Sequence, residues 1–313
     1  SVQMIEIISL IISLISLFIF SNFPINYFYF EKKSLIKYSY NDVLLINLII
    51  NCNLLLIFSF FSINLNIIFF IILIYVLFLL TLFKKNYLNL FHNNFYICLA
   101  FTILFYAISI SIVKNAYLEY DALAHWIFKV KVFFQGGTIA NLKNVPYDYY
   151  PHLGSYIWAF FWKNSLIQNE YLGRLFFIYI FLISIFSIQS KLNSKFSDFE
   201  KILIIFLICF LSLNLFLFGG YQEYFIFFCF YCFSHFFIKF YRTFEKNINN
   251  IYPEIIILLI SNIFMWAKQE GLFYFFILGA LFVIHSKRAY INKLFYLILS
   301  VALFLFFLFV KNY

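Results

Sequence analysis

Apolar runs of membrane length recur through almost the whole chain, and that recurrence limits the fold more than any other feature. A helix must be mostly apolar over about 20 residues to cross a bilayer. Runs of that kind fall near 5–29, 43–62, 66–83, 95–113, 170–189, 202–218, 224–240, 254–267, 271–286 and 294–310. The runs at 254–267 and 271–286 are short, as in a re-entrant pair or a locally thinned bilayer. With 65% hydrophobic and 11% charged residues and a mean hydropathy of +0.94, the chain is too apolar for a water-solvated globule. The expected fold is all-α, a single polytopic transmembrane bundle over 1–313 with about ten spans. The first run lacks a basic flank and a small-residue cleavage site, so a retained span is expected there and not a signal peptide.

The net charge of +9 does not mark a nucleic-acid binder, because the basic residues lie in short clusters between apolar runs. Lys32-Lys33 to Lys37, Lys84-Lys85, Lys191 to Lys201, Lys239 to Lys246, and Lys287-Arg288 to Lys293 separate alternate spans. Placing those clusters in the cytoplasm puts the N-terminus outside. The connections 63–65, 114–169, 219–223 and 268–270 then all face out. The 50 Phe and 25 Tyr, with abundant Ile, Asn and Lys, match an AT-rich coding bias, so no aromatic binding platform is read from them. Cys52, Cys98, Cys209, Cys229 and Cys232 all fall in apolar runs. The Cys229–Cys232 spacing has no second pair, so buried thiols are expected, with no disulfide framework and no metal site.

The outer connection 114–169 is the longest stretch too polar for lipid, and it holds Glu119, Asp121, His125, Lys129, Lys131, Asp148 and His152. Residues Ala122 to Phe134 read as a helix opened by Asp121 and stopped by Gly136-Gly137. Asp121, His125 and Lys129 recur every four residues and share one face. The opposite face is apolar, which predicts an amphipathic helix lying on the outer surface. Asp121 suits a helix N-cap and equally suits a general base, since a helix N-terminus favours negative charge. Glu119 makes an acid-x-acid pair with it. His125 is either its hydrogen-bond partner or an interfacial ring, and Lys129 either an interfacial lysine or a phosphate anchor. Asp148 and His152 lie on a loop that Pro151 leads into a second short surface helix, Ser155 to Trp162. Arg174 is an interfacial anchor or a phosphate ligand. Glu223 and Glu270 stand at the outer mouths of helix pairs. His92, His235 and His285 fall towards the inner face and read as structural.

Four motifs carry a family resemblance. They are Tyr120-Asp121-Ala122-Leu123-Ala124-His125-Trp126 with Lys129, Asp148-Tyr149-Tyr150-Pro151-His152-Leu153, Gly220-Tyr221-Gln222-Glu223, and Trp266-Ala267-Lys268-Gln269-Glu270-Gly271. Together they resemble GT-C fold membrane glycosyltransferases, similar to protein O-mannosyltransferases and the aminoarabinose transferase-like bacterial enzymes; Glu223 stands where the bacterial pattern has Asp. The resemblance implies inverting hexosyl or pentosyl transfer from a polyprenyl-phosphate sugar donor to a lipid, glycan or protein acceptor. It places the site on the outer face of a bacterial inner membrane. It implies Asp121 as base, with Glu119 or Asp148 helping to place the acceptor, and Lys129, Arg174 and Lys268 near the donor phosphate. No tightly held metal or other cofactor is implied. The rival from another class is a transporter or flippase for a lipid-linked or anionic solute, which would carry charge along a path through its spans. Glu6 is the clearest such charge, and mid-span charge is otherwise scarce. An O-antigen ligase or polymerase is a third reading, although those place their main loop later in the chain.

Overall fold

The computed structural model describes residues 2–33, 38–114, 117–192, 196–244, 251–286 and 289–312. The described helices, in chain order, are α1 (Val2–Ser21), α2 (Tyr27–Lys33), α3 (Tyr40–Phe58), α4 (Leu65–Leu82), α5 (Lys84–Asn93) and α6 (Phe95–Lys114). Next come α7 (Ile127–Phe134), α8 (Leu153–Lys163), α9 (Glu170–Ser187), α10 (Asp198–Ser212), α11 (Glu223–Phe244), α12 (Tyr252–Ala267), α13 (Gly271–His285) and α14 (Tyr290–Asn312). Among the described residues there is no strand. Seven helices, namely α1, α3, α4, α6, α9, α11 and α14, are long and apolar enough to cross a membrane. Of the basic clusters that set the expected orientation, Lys37, Lys195, Lys246, Lys287 and Arg288 lie outside the described residues.

The other three predicted spans are helices too, but short ones. α10, α12 and α13 have 15, 16 and 15 residues, or roughly 22–24 Å at 1.5 Å per residue, against a hydrocarbon core of about 30 Å. α10 starts four residues before the predicted run, on a capping box formed by Ser197 and Glu200, and stops at Ser212. The predicted first span, 5–29, is also interrupted. Pro24 cannot donate an amide hydrogen bond, and α1 ends at Ser21. The carbonyls freed by this break would be costly in an apolar interior. α3 meets them with two asparagines one turn apart. Asn47 Nδ2 donates to the carbonyls of Ser21 and Ile25 at 3.0 and 2.9 Å, and Asn51 Nδ2 donates to those of Phe20 and Phe23 at 2.6 and 2.8 Å. The Ile25 amide donates to Asn47 Oδ1 at 2.9 Å.

α9 is the axis of the bundle. Every residue from Tyr171 to Ser187 is buried, with α1, α3, α6, α8, α10 and α11 packed around it. Phe20, Phe160, Phe161 and Phe176 interlock beside it with ring centroids 5.1–6.3 Å apart. Lipid is as apolar as these rings, so their close fit and edge-to-face geometry hold the helices together, with no gain from leaving water. α12 joins α3, α8 and α11 to the outlying helices α13 and α14.

At one end of the bundle a buried polar chain ties three helices. Asp42 lies in the first turn of α3, where Ser39 and Asp42 form a capping box. His235 Nε2 meets Asp42 Oδ1 at 2.5 Å, and the Lys239 ammonium pairs with Asp42 Oδ2. Tyr231 Oη contacts His235 Nδ1 at 3.2 Å, and Ser187 Oγ donates to Tyr231 Oη at 2.5 Å. His235 is structural, as expected, and Asp42 is the group it serves. Removing one member of a buried ion pair strands the other, at a cost of about 3–5 kcal/mol. Asp42→Leu is therefore expected to lower the melting temperature in detergent by several degrees, and the triple change with His235→Leu and Lys239→Met to recover most of the loss.

Candidate functional site

Both ends of the 114–169 connection are tied by a buried arginine just beyond it. Arg174, 1% exposed, lies one turn into α9 above Glu170, with Nε–Oε1 and Nη2–Oε2 separations of 3.0 and 3.1 Å. Its Nη1 donates to the carbonyls of Tyr117 and Phe218, each at 3.2 Å. Tyr117 opens the outer connection and Phe218 precedes the turn before α11, so the guanidinium clips the two together. The Glu119 amide continues the junction by donating to the Gly219 carbonyl at 3.0 Å. Gly220 has φ +105, and a Cβ there would lie 2.5 Å from Ala122 Cβ and 2.8 Å from Trp158. Both the backbone and the space demand glycine. Arg174 therefore belongs to the frame of the site, and its guanidinium does not face outward towards a phosphate.

The predicted helix over Ala122 to Phe134 is present, but its first turn is a π-turn. The Ile127 amide bonds to the Ala122 carbonyl, five residues back. One inserted residue rotates everything after it by about 100° relative to an unbroken helix. Asp121 and His125 remain partly exposed while Lys129, expected on the same face, is wholly buried, as are Ile127, Val130 and Phe133. The expectation of two surface helices is corrected further at α8, where Leu153 to Phe161 is buried throughout. That helix is part of the core because α7, α9, α3 and α12 surround it.

Asp121 precedes the π-turn in helical geometry (φ −62, ψ −37) and makes no capping hydrogen bond with its side chain. The Leu123 amide bonds to the Glu119 carbonyl instead, at 2.9 Å. The N-cap role is thus filled without the Asp121 carboxylate, which forms no side-chain hydrogen bond or ion pair among the described residues. Facing it is a lysine held by acids. Lys268 Nζ donates to Glu223 Oε1 at 2.6 Å and lies 3.9 Å from Glu270 Oε1. Burial lowers the pKa of Lys268, but the Glu223 hydrogen bond and the charges of Glu223, Glu270 and Asp121 outweigh that and hold it above its usual value. The nearby Tyr221 hydroxyl is pushed up by desolvation and then by the charges of Asp121, Glu119 and Glu223. Three separate chain segments thus bring Glu119, Asp121, Glu223, Lys268 and Glu270 to one end of the bundle.

His125 does not hydrogen-bond to Asp121. Its ring stacks on Tyr150, with centroids 4.9 Å apart, and meets the edge of Tyr147 at 4.1 Å. Beneath them Lys129 Nζ donates to the Tyr150 carbonyl at 2.7 Å, with the Trp126 and Tyr150 rings near 5.6 and 5.7 Å. Burial brings the Lys129 pKa down to about 7, with Asp148 opposing the fall and Lys311 adding to it. His152 is buried too, with Nε2 at 2.9 Å from Ser59 Oγ. Burial, then the charge of Lys129, brings its pKa down to about 3. His152, Asp148 and Tyr150 line a cavity of about 460 Å³ together with Phe60, Trp266 and Phe307. Asp148 therefore belongs to the cavity, whereas Asp121 belongs to the Lys268 cluster. Tyr150 is common to both, since it lines the cavity and the charges of Glu270 and Asp121 contribute to raising its pKa after desolvation and Tyr149.

Sequence reasoning quoted Tyr150, Gln222 and Trp266 inside motifs but gave them no role, and it passed over Lys143 and Lys311. Gln222 is fully buried with both amide atoms unpartnered, and a Cβ on Gly154 would lie 1.7 Å from its Oε1. Its place next to Glu223 was the available signal. Among the described residues no group of three or more His, Cys, Asp or Glu side chains is placed to hold a metal ion.

The fold defines the class, an all-helical integral membrane protein, through seven helices of spanning length and composition. Beyond that class, the chain matches no family model, no curated protein and no solved structure.

Lys129 also makes a pH prediction. Its pKa in the fold, about 7, is below the ordinary 10.5, so the unfolded chain binds the extra proton between those values and stability rises with pH across that window. Relative to Lys129→Met, the wild-type protein is expected to gain thermal stability from pH 7 to 9, by several degrees in melting temperature. Parallel curves for the two proteins would contradict a buried, titrating amine.

Proposed function

We propose that this chain is a GT-C type membrane glycosyltransferase. It moves a hexosyl or pentosyl group from a polyprenyl-phosphate donor to a lipid, glycan or protein hydroxyl at the outer face of a bacterial inner membrane. The observation that carries the reading is Asp121: a partly exposed carboxylate without a side-chain hydrogen bond among the described residues, where the 114–169 connection meets the Glu223 and Lys268–Glu270 turns. In this reading the ten apolar helices all cross or enter the bilayer, with α10, α12 and α13 in a thinned region.

The acceptor hydroxyl donates its proton to the Asp121 carboxylate as its oxygen bonds to the anomeric carbon. The bond from that carbon to the phosphate oxygen breaks on the opposite face, the phosphate leaves with the electron pair, and the configuration inverts. The leaving group is already an anion, so a base and fixed positive charge matter more than a strong acid. Glu119 packs against Gly219 beside the base. Lys268, held by Glu223 and Glu270, supplies the nearby positive charge. The transporter reading would use charge inside the spans. Asp42, His235 and Lys239 neutralise one another instead, and none of them lines the cavity.

General-base catalysis contributes typically 10²–10⁴-fold. Asp121→Asn is expected to cut transfer from a polyprenyl-phosphate sugar by about 100-fold or more without altering the melting temperature. Undiminished turnover in the folded variant would remove Asp121 from the mechanism.

A further inference from the structure

The cations first proposed for the donor phosphate are committed elsewhere: Arg174 to Glu170 and two carbonyls, Lys268 to Glu223, and Lys129 to the Tyr150 carbonyl. The cavity beside Tyr150 has two others. Lys143, in the short 3₁₀ segment Ile139–Asn144, and Lys311, in the last turn of α14, both line it. Both are exposed, and neither forms an ion pair among the described residues. Lys311 Nζ stands 5.2 Å from the centroid of the Phe307 ring. Asp148 is the one carboxylate in the lining, and buried Lys129 lies close enough to feel both it and Lys311. The balance at the mouth is positive.

The rest of the lining is apolar. Trp266 and Phe307 come from α12 and α14, and α14 is only 11% buried against the protein over its spanning length. The wall is therefore continuous with a helix whose remaining surface is apolar and faces outward. Trp266 is 2% exposed, and its Nε1 donor has no partner. A buried N–H without an acceptor is uncommon in a finished interior and fits a site completed by a ligand oxygen. A volume of about 460 Å³ is within the usual range for small-molecule sites, roughly 300–1,000 Å³.

We infer that this cavity binds the phosphate headgroup and first chain carbons of a phosphorylated amphiphile, with Lys143 and Lys311 as its anion ligands and Trp266 and Phe307 against the chain. The inference rests on the function proposed above only in identifying that amphiphile as the sugar donor. Lysine suits the task as a compact, mobile charge at a wet mouth. The same two lysines could take a free phosphate, but an aromatic wall continuous with a lipid-facing helix favours phosphate carried on an apolar chain.

The test uses the full chain in a non-ionic detergent, with farnesyl phosphate, farnesol and inorganic phosphate as probes and tryptophan fluorescence as the readout. Farnesyl phosphate is expected to bind, farnesol to bind at least about tenfold more weakly, the scale of one lost charge-assisted hydrogen bond, and excess inorganic phosphate not to displace it. K143Q/K311Q is expected to weaken farnesyl phosphate about tenfold, leave farnesol unchanged and keep the unliganded melting temperature, while K143R/K311R retains binding. Equal affinity for farnesol and its phosphate, displacement by inorganic phosphate, or wild-type binding by K143Q/K311Q would each overturn the assignment. Asp121→Asn separates the two claims. If it transfers sugar normally while K143Q/K311Q loses binding, the lysine site stands and the proposed base falls. If it is inactive while K143Q/K311Q binds normally, the reverse holds.

Discussion

The end of the bundle that carries the candidate site depends on one buried guanidinium. An arginine in an apolar bundle is tolerable only if its charge is met and its donors are used. Arg174 achieves this through Glu170 one turn earlier and through two carbonyls from chain segments about a hundred residues apart, Tyr117 and Phe218. Those two carbonyls fix where the outer connection starts and where α11 is entered. The Glu119–Gly219 backbone bond and the tight approach of Gly220 to Ala122 follow from that tie. Glu119, Asp121 and Glu223 meet because Arg174 holds both of their strands of chain.

Beyond that clip, the site divides by hydration. On one side Asp121, Glu223, Glu270 and Lys268 remain partly exposed and keep their charges in reach of one another. On the other, Lys129 and His152 are taken out of water and shift towards their neutral forms. The difference is one of depth, and the π-turn produces it. By widening the turn from Ala122 to Ile127 it changes the phase of the helix, and the lysine lies inward, beneath Tyr150, where its ammonium meets a carbonyl and two ring faces. π-turns recur at functional sites because a single inserted residue redirects the side chains that follow.

A bundle built in lipid also has to settle its own backbone breaks. The interruption after Ser21 is tolerated because Asn47 and Asn51 provide amide donors at the right height on α3. The first turn of the same helix uses Asp42 in the same spirit, as both a helix cap and the counter-ion of Lys239. These polar residues sit within runs that hydropathy alone reads as uniform.

What could be read from the chain without coordinates was what local order controls. Apolar length predicted the helices, and the Gly136-Gly137 stop and the Pro151 entry predicted the two helices of the outer connection. The alternation of basic clusters placed the Glu223 turn, the Lys268–Glu270 turn and the outer connection together, and the Lys268–Glu223 pair joins two of those turns directly. What local order could not show was phase and partnership. Nothing in the local pattern marks the π-turn, so the burial of Lys129 was invisible at a spacing of four. Whether Arg174 faced a ligand or Glu170 depended on carbonyls far away in sequence. Lys143 and Lys311 had no motif around them and became neighbours of one cavity only when α14 packed against α12. Sequence by itself determined an all-helical membrane chain with a polar, acidic connection between its spans, because hydropathy and helix signals are local. Tertiary structure decided which of its charges are free, because freedom from a partner is a property of the surroundings.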